Sequence, residues 1–400
     1  MDVMEMGTTV DSSCPSCDFR PLRGFYEARD VPVHSCLMMA SREEALAFPR
    51  GDVTLAFCPR CGFITNVSYD PKYREYAPGY EDQQSFSPTF NAFTRRLARR
   101  LIDRYDLRGG DIVEIGCGKG DFLALICEMG ENCGVGIDPA CVAERITGPA
   151  AGRITVIQDY FSEKYADYTG DLVMCRHTLE HIAQTTEFVT IVRRGIGERE
   201  GAAVFFEVPD TMRVLRERAF WDIYYEHCSY FTPGSLARFF RRCGFAVEGI
   251  ELDYDDQYLL IYARPVPERS EAVHELEETV EELSREVERF SAACAGTLTR
   301  WRSTFERYEA EGRRVAIWGS GSKCVAFLTT LGIAGKVGRV VDINPHRHHM
   351  FIPGAGSEVT SPDSLREYRP DVVVVMNSIY RDEIAEMLRG MGLEPDIVTV

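Results

Sequence analysis

Four cysteines in two C-x-x-C pairs, Cys14 with Cys17 and Cys58 with Cys61, carry a specific chemical signal. Each tight turn brings two thiolates to one point, and two turns supply a closed tetrahedral S4 site for a structural metal. Zinc is the expected ion, and iron in the same ligand set is the rival. A second signal is Gly116-x-Gly118-x-Gly120, where the absence of a Cβ lets the backbone approach a ligand closely. Asp138 follows where a βαβ unit presents an acid to a ribose diol. The third is the run Phe220–Thr232, which interleaves tyrosine and tryptophan rings with Asp, Glu and His. Burying such a run is costly unless the polar tips reach each other or a ligand. The adjacent pair Glu226 and His227 is therefore the main catalytic candidate, a carboxylate-oriented imidazole base.

These residues need elements to hold them. Ile112–Ile115 reads as a buried parallel strand, Phe122–Met129 has helical spacing, and Gly134–Asp138 is a second strand. The alternation continues through Ile154–Ile157, Asp171–Met174 and Ala203–Pro209. Active sites of open α/β sheets lie at the carboxyl ends of strands, so Arg176, His177, Glu180 and His181 point into the crevice. His177 and His181 with Glu180 could also read as a metal pair on one helical face, without the H-E-x-x-H order or a third ligand. Tyr76–Ser85 is a polar, aromatic lead-in, and Tyr80 is its ligand-facing candidate. Arg314–Lys323 repeats strand, glycine turn and helix, and Gly338–Pro345 and Asp371–Met376 add strands. That turn is no Walker A loop, but helix N-terminal amides plus Lys323 would hold an anionic group. His346, His348 and His349 read as a surface loop, with metal binding as the alternative. Leu276, Val280, Leu283, Val287 and Phe290 form a narrow apolar stripe. It suits a connector helix packed across domains or a coiled contact.

The 400-residue length implies two to four domains. The divisions are a zinc-binding module over 1–75, an α/β domain over 76–265, a helical connector over 266–310 and a second Rossmann-like α/β domain over 311–400. A net charge of −17 argues against a broad nucleic-acid-binding face while leaving room for a basic pocket for one pyrophosphate. Glu43, Glu44 and Asp52 beside Arg42 and Arg50 leave no basic stripe between the cysteine pairs. No apolar run approaches the roughly 20 residues of a membrane span, so no membrane partner is expected. Met1–Glu5 lacks a basic n-region and an apolar h-region, which points to the cytoplasm. Of the fourteen cysteines the ten outside the two pairs are scattered singly, as Cys127 and Cys243 are, and suit small buried hydrophobes in a reducing compartment. The oligomeric state is open.

Val113-Glu114-Ile115-Gly116-Cys117-Gly118-Lys119-Gly120 resembles motif I of class I S-adenosylmethionine (SAM) methyltransferases, with Asp138 as the motif II acid. The wider chain resembles, in order and nearly full length, the three-domain zinc-containing sugar C-methyltransferases of deoxysugar biosynthesis. Those enzymes methylate C3 of a nucleotide-linked 4-keto sugar. The shared features are the two cysteine knuckles, the SAM motif, His177–Ile182, Glu207-Val208-Pro209-Asp210, Tyr225–Thr232 and the C-terminal Rossmann-like unit. The resemblance implies SAM as cofactor, with Glu114 steering its amino group and Asp138 its ribose. Asp159 would meet the adenine amino group, and His177 would stand at the same ligand. It puts His181, Tyr224, Glu226 and His227 at substrate positions, with His227 the base. Tyr80, Lys323 and Arg347 would contact a nucleotide-linked sugar, anchored by the C-terminal domain. The tyrosine loop Tyr80–Ser87 departs from the family pattern, which bears on the substrate more than on the reaction. The rival functions are O- or N-methylation of another small metabolite and a SAM-binding scaffold without catalysis.

Overall fold

The computed structural model describes residues 8–73, 79–81, 83–197, 199, 201–268 and 270–400. Tyr76–Pro78 and Asp82 of the aromatic lead-in, and Met1–Glu5, lie outside the described residues. Three sheets organise them.

The first is antiparallel and runs Thr8–Val10, Leu22–Pro32, Arg50–Phe57, Ile64–Asn66 and Ser229–Tyr230. Its last strand comes from far downstream, two residues past His227, and pairs Ser229 with Thr65 and Tyr230 with Ile64. The aromatic run is thus stitched to the cysteine-bearing segment. That segment does not keep its apolar residues to itself. Phe25 and Tyr26 pack on Phe290 of the long helix Val280–Ala310, at ring-centroid distances of 6.1 and 5.7 Å. Phe63 packs on Phe231 at 5.4 Å.

The second sheet has seven strands, in spatial order Phe245–Asp253, Tyr258–Pro265, Ala203–Pro209, Leu172–Arg176, Asp111–Ile115, Cys133–Ile137 and Ile154–Ile157. The five from Ala203–Pro209 to Ile154–Ile157 are parallel, and the other two are antiparallel. Helices cover both faces, so the central strands read as nearly continuous apolar runs. The chain order reverses beside Asp111–Ile115, which opens a crevice at the carboxyl ends of that strand and Leu172–Arg176.

The third sheet is fully parallel, in the order Val359–Thr360, Arg339–Val341, Val315–Trp318, Val372–Val375 and Asp396–Thr399. It reverses beside Val315–Trp318 in the same way. The stripe read from the sequence is the buried face of Val280–Ala310, with Leu283, Val287 and Phe290 buried. Leu276 is 43% exposed and precedes the helix, which starts at Val280 because Thr279 and Glu282 form a capping box. No helix among the described residues is long and apolar enough to cross a membrane.

Candidate active site

The two reversal points open into one cavity of about 1070 Å³. Gly116, Gly118 and Asp138 line it from one unit, and Gly319, Lys323 and Asp342 from the other. His181, Tyr224 and His227 also line it, as do Glu114, His177, Tyr80 and Arg347. Gly120, Asp159 and Glu226 are not among the described residues of its lining.

At the first reversal point Gly116, Gly118 and Gly120 have φ of +72°, +54° and +84°, a region that favours glycine. Space forbids a side chain as well, since a Cβ on Gly116 would meet Thr178 Oγ1 at 1.9 Å. Gly120 turns the chain into the helix Asp121–Gly130. Asp138 accepts from Gly118 N–H at 2.9 Å and Ala140 N–H at 2.6 Å, which locks the turn to the second strand. Glu114 is buried in the first strand, and its Oε2 has no hydrogen-bond partner. Burial pushes its carboxyl up to about 8, helped by Glu207 and Asp138 and opposed by Arg176. A buried carboxyl with an unmet acceptor facing a cavity calls for a cationic donor. The amino group of SAM meets that need, and the glycine cradle suits a ligand laid against the backbone.

His177, in the left-handed region with φ +48°, meets Tyr258 edge to face at 4.4 Å between ring centroids. Its Nε2 lies 2.6 Å from Glu207 Oε1, out of line for a hydrogen bond but close enough for an ion pair. Burial opposes the imidazolium, but Glu207 and Glu180 outweigh it and lift His177 to about 9. Arg176 holds Glu207 with two hydrogen bonds, at 2.9 and 3.1 Å. Asp159 does not join this group. Its carboxylate accepts from Tyr165 OH at 2.5 Å and Lys164 at 3.2 Å outside the cavity, while Tyr160 and Phe161 line the wall where it was expected.

The imidazoles of His181 and His227 meet edge to face at 4.7 Å, and Tyr224 packs on His227 at the same distance. Burial lowers His227 to about 4, the neighbouring His181 adds to the effect, and Glu180, Glu226 and Asp222 oppose it. His227 is therefore neutral near pH 7, in a state to accept a proton. The expected Glu226–His227 dyad is not what the structure holds. Glu226 turns its carboxylate away, towards His34, Ser35 and Tyr80. The chain turns at Tyr225 and Glu226, so the two neighbouring side chains meet different partners. The carboxylate that faces the imidazoles is Glu180, which with His181 and His227 brings ligand atoms within 4.8 Å of one another. Glu180 Oε2 is buried without a partner.

The aromatic run itself divides in two. Phe220, Trp221, Tyr225 and Tyr230 belong to the core, while Asp222, Tyr224 and His227 line the cavity. Asp222 accepts from Tyr224 OH at 2.7 Å and pairs with Arg213 and, at 3.1 Å, with Lys323. Burial works to raise Asp222, but Lys323 and Arg213 outweigh it and hold it at about 2. Lys323 also donates to Gln257 at 2.8 Å, so it reaches from the C-terminal unit to the turn between Phe245–Asp253 and Tyr258–Pro265 of the second sheet. Arg347 is buried and holds Ser320 Oγ at 3.2 Å and the Glu81 carbonyl. Tyr80 donates to Glu226 at 3.1 Å. Among the described residues His346, His348 and His349 do not gather into a metal-ligating group.

The four paired cysteines converge. Cys14 and Cys61 sulfurs are 3.6 Å apart, as are those of Cys17 and Cys58. Thiolates about 2.3 Å from a tetrahedral ion stand about 3.8 Å from each other, so the set fits one. The two knuckles share a design. Asp18 and Gly62 follow the second cysteine of each with φ of +59° and +79°. Cys14 and Cys58 donate their N–H to Phe19 and Phe63, at 2.9 and 2.8 Å.

Comparisons with known proteins agree with this geometry. Residues 90–249 match a family described as a methyltransferase domain, and residues 263–393 match a C-methyltransferase C-terminal domain. The second match joins the helix Val280–Ala310 to the third sheet. The chain is similar to the C-methyltransferase NovU of Streptomyces niveus, 26% identical over 309 residues, covering 73% of this chain and 72% of NovU. Among solved structures it is similar to an O-methyltransferase family protein from Burkholderia thailandensis, with TM-score 0.34, 17% identity and 44% of this chain covered. A riboflavin-analogue dimethyltransferase, RosA, from Streptomyces davawensis matches with TM-score 0.34, 20% identity and 44% coverage. These matches span 58% and 56% of the two solved chains.

Proposed function

We propose that the chain is a SAM-dependent C-methyltransferase and that it methylates a carbon next to the ketone of a nucleotide-linked keto-sugar. The observation that carries this reading is the single cavity lined by both glycine turns, with the imidazole pair between them. At about 1070 Å³ it exceeds the roughly 300–1,000 Å³ of an ordinary ligand pocket, as two ligands held together require. Bound SAM supplies a methyl group that is already activated. The protein must then supply alignment and a carbon nucleophile.

Carbon beside a ketone becomes nucleophilic by losing a proton. Neutral His227 takes that proton, and Glu180 stabilises the imidazolium that results. His181 or the Tyr224 hydroxyl stabilises the enolate oxygen. Glu114 receives the SAM amino group, and Asp138 faces its ribose. Lys323, with Arg213 behind Asp222, makes a cationic wall that suits a diphosphate. In this reading the four cysteines hold zinc, which stabilises the segment carrying the partner strand of Ser229–Tyr230. Elemental analysis of the purified protein should return one zinc per chain, and iron in its place would correct this.

Mass-spectrometric detection of methyl transfer across a panel of nucleotide keto-sugars tests the function. Incorporation of solvent deuterium beside the ketone without SAM would identify carbon chemistry. Methyl transfer to oxygen or nitrogen acceptors, with keto-sugars inert, would overturn it.

A further inference from the structure

The carboxylate of Glu226 is fully occupied, by His34 and Ser35 of the cysteine-bearing segment and by Tyr80 of the lead-in that follows it. Oε1 accepts Ser35 N–H at 3.0 Å and the Ser35 hydroxyl. Oε2 accepts Tyr80 OH at 3.1 Å and faces His34 Nδ1 at 3.2 Å. Because Ser35 has one hydroxyl proton and gives it to Glu226, Ser322 at 2.7 Å is the donor to Ser35 Oγ. The second-unit helix Ser322–Leu331 is thereby tied to the same hub.

His34 is buried, with Nε2 2.7 Å from the carbonyl oxygen of Tyr73. A carbonyl oxygen only accepts, and so does an ionised carboxylate. With three other donors on Glu226 favouring the anion, both nitrogens of His34 must donate. The ring is an imidazolium, and with Glu226 it forms a buried ion pair. Such a pair is strongly disrupted by removing one member, since the other is left charged in low dielectric.

The pair has a consequence for the reaction site. With its side chain drawn towards His34, Glu226 presents its peptide carbonyl to His181 Nδ1 at 3.2 Å. A carbonyl oxygen only accepts, so that bond puts a proton on His181 Nδ1. The next residues are fixed too, as Cys228 N–H donates to the Glu180 carbonyl at 2.9 Å. The geometry points to His34 as a positioning residue, a buried imidazolium that holds Glu226 off His227 and keeps a proton on His181 Nδ1 through the Glu226 backbone. The inference rests on the proposed reading that these imidazoles face the reacting carbon.

Nitrogen-15 spectra of the full chain bound to S-adenosylhomocysteine at pH 8 test the charge without needing turnover. Imidazolium signals are expected for His177 and His34, and Glu226→Gln should convert His34 to a neutral ring, because the new amide can donate to Nδ1. A neutral His34 in the unsubstituted protein would overturn the inference, whether or not any variant folds. In kinetics, His34→Gln should lower kcat by about 10²-fold, the scale of a misplacement of about 1 Å, with KM and cofactor affinity little changed. Normal kcat in a His34→Gln protein that binds the cofactor would also overturn it. Absence of methyl transfer from the unsubstituted protein, with His34 doubly protonated, would instead count against the proposed function.

Discussion

The two α/β units solve one structural problem in the same way and differ where ligand charge is decided. In each, the N–H of the first turn glycine returns to the second strand, Gly116 to Ile137 and Gly319 to Val341, both at 2.8 Å. In each, an acid ends that second strand and accepts backbone N–H from the turn. Asp138 takes Gly118 and Ala140, and Asp342 takes Ser320 at 2.8 Å and Asn344 at 2.9 Å. Two residues before the first glycine, however, one unit has the buried acid Glu114 and the other has Ile317. The following helices also differ. One opens with Asp121 and the other with Ser322 and Lys323. An acid in the strand and at the helix start favours a ligand carrying positive charge. A lysine at a helix N-terminus favours an anion. In the proposed reading one architecture, placed twice around one cavity, receives two ligands of opposite charge.

Stopping the chemistry while keeping both ligands is the strongest way to sharpen that contrast. His227→Ala should lower turnover by about 10²–10⁴, the usual worth of a general base, with affinity for SAM and for the nucleotide substrate retained. Rapid-quench assays beside equilibrium binding check this. Unchanged turnover would remove His227 from the mechanism.

The next effect separates the units by charge. Glu114→Gln should weaken SAM about 10- to 100-fold, since a hydrogen bond to a charged group is worth about 1.5–3 kcal/mol, and should leave nucleotide affinity alone. The same carboxyl sets a pH dependence. Its position near 8 without ligand means that it is protonated at neutral pH and must lose the proton to meet a cationic amino group. SAM affinity should therefore rise with pH towards about 8 and level off above it, with close to one proton released. Calorimetry in buffers of different ionisation enthalpy counts that proton, and Glu114→Gln should abolish the Glu114 share. Lys323→Met should raise substrate KM about tenfold and leave SAM affinity unchanged, as loss of one charge-assisted contact implies. The smallest effect belongs to Asp159→Ala. With its carboxylate engaged by Tyr165 and Lys164, SAM affinity should change by less than about twofold.

How much of this was legible in the sequence follows from range. The glycine turns, the strands around them and the cysteine knuckles are local patterns, and each stands where periodicity and spacing put it. The acid of the imidazole site is local to one ring only. Glu226 precedes His227 directly and invited a dyad, yet the chain turns there and the carboxylate goes to His34, Ser35 and Tyr80. Glu180 adjoins His181 in sequence and meets His227 only through the fold. The partners of Glu226, His34 and Ser35, lie 192 and 191 residues away and follow no spacing rule. Asp159 failed for the opposite reason. A tyrosine six residues on, at a short 3-10 turn, captured its carboxylate outside the cavity. Lys323 was legible as the cation after the second glycine turn, but its ion pair with Asp222 required the two units to meet.

The most direct test is calorimetric titration of S-adenosylhomocysteine with and without a saturating nucleoside diphosphate. Two compatible sites predict one equivalent of each ligand bound together, with Glu114→Gln impairing only the first and Lys323→Met only the second. Mutually exclusive binding, or both substitutions weakening the same ligand, would contradict the account.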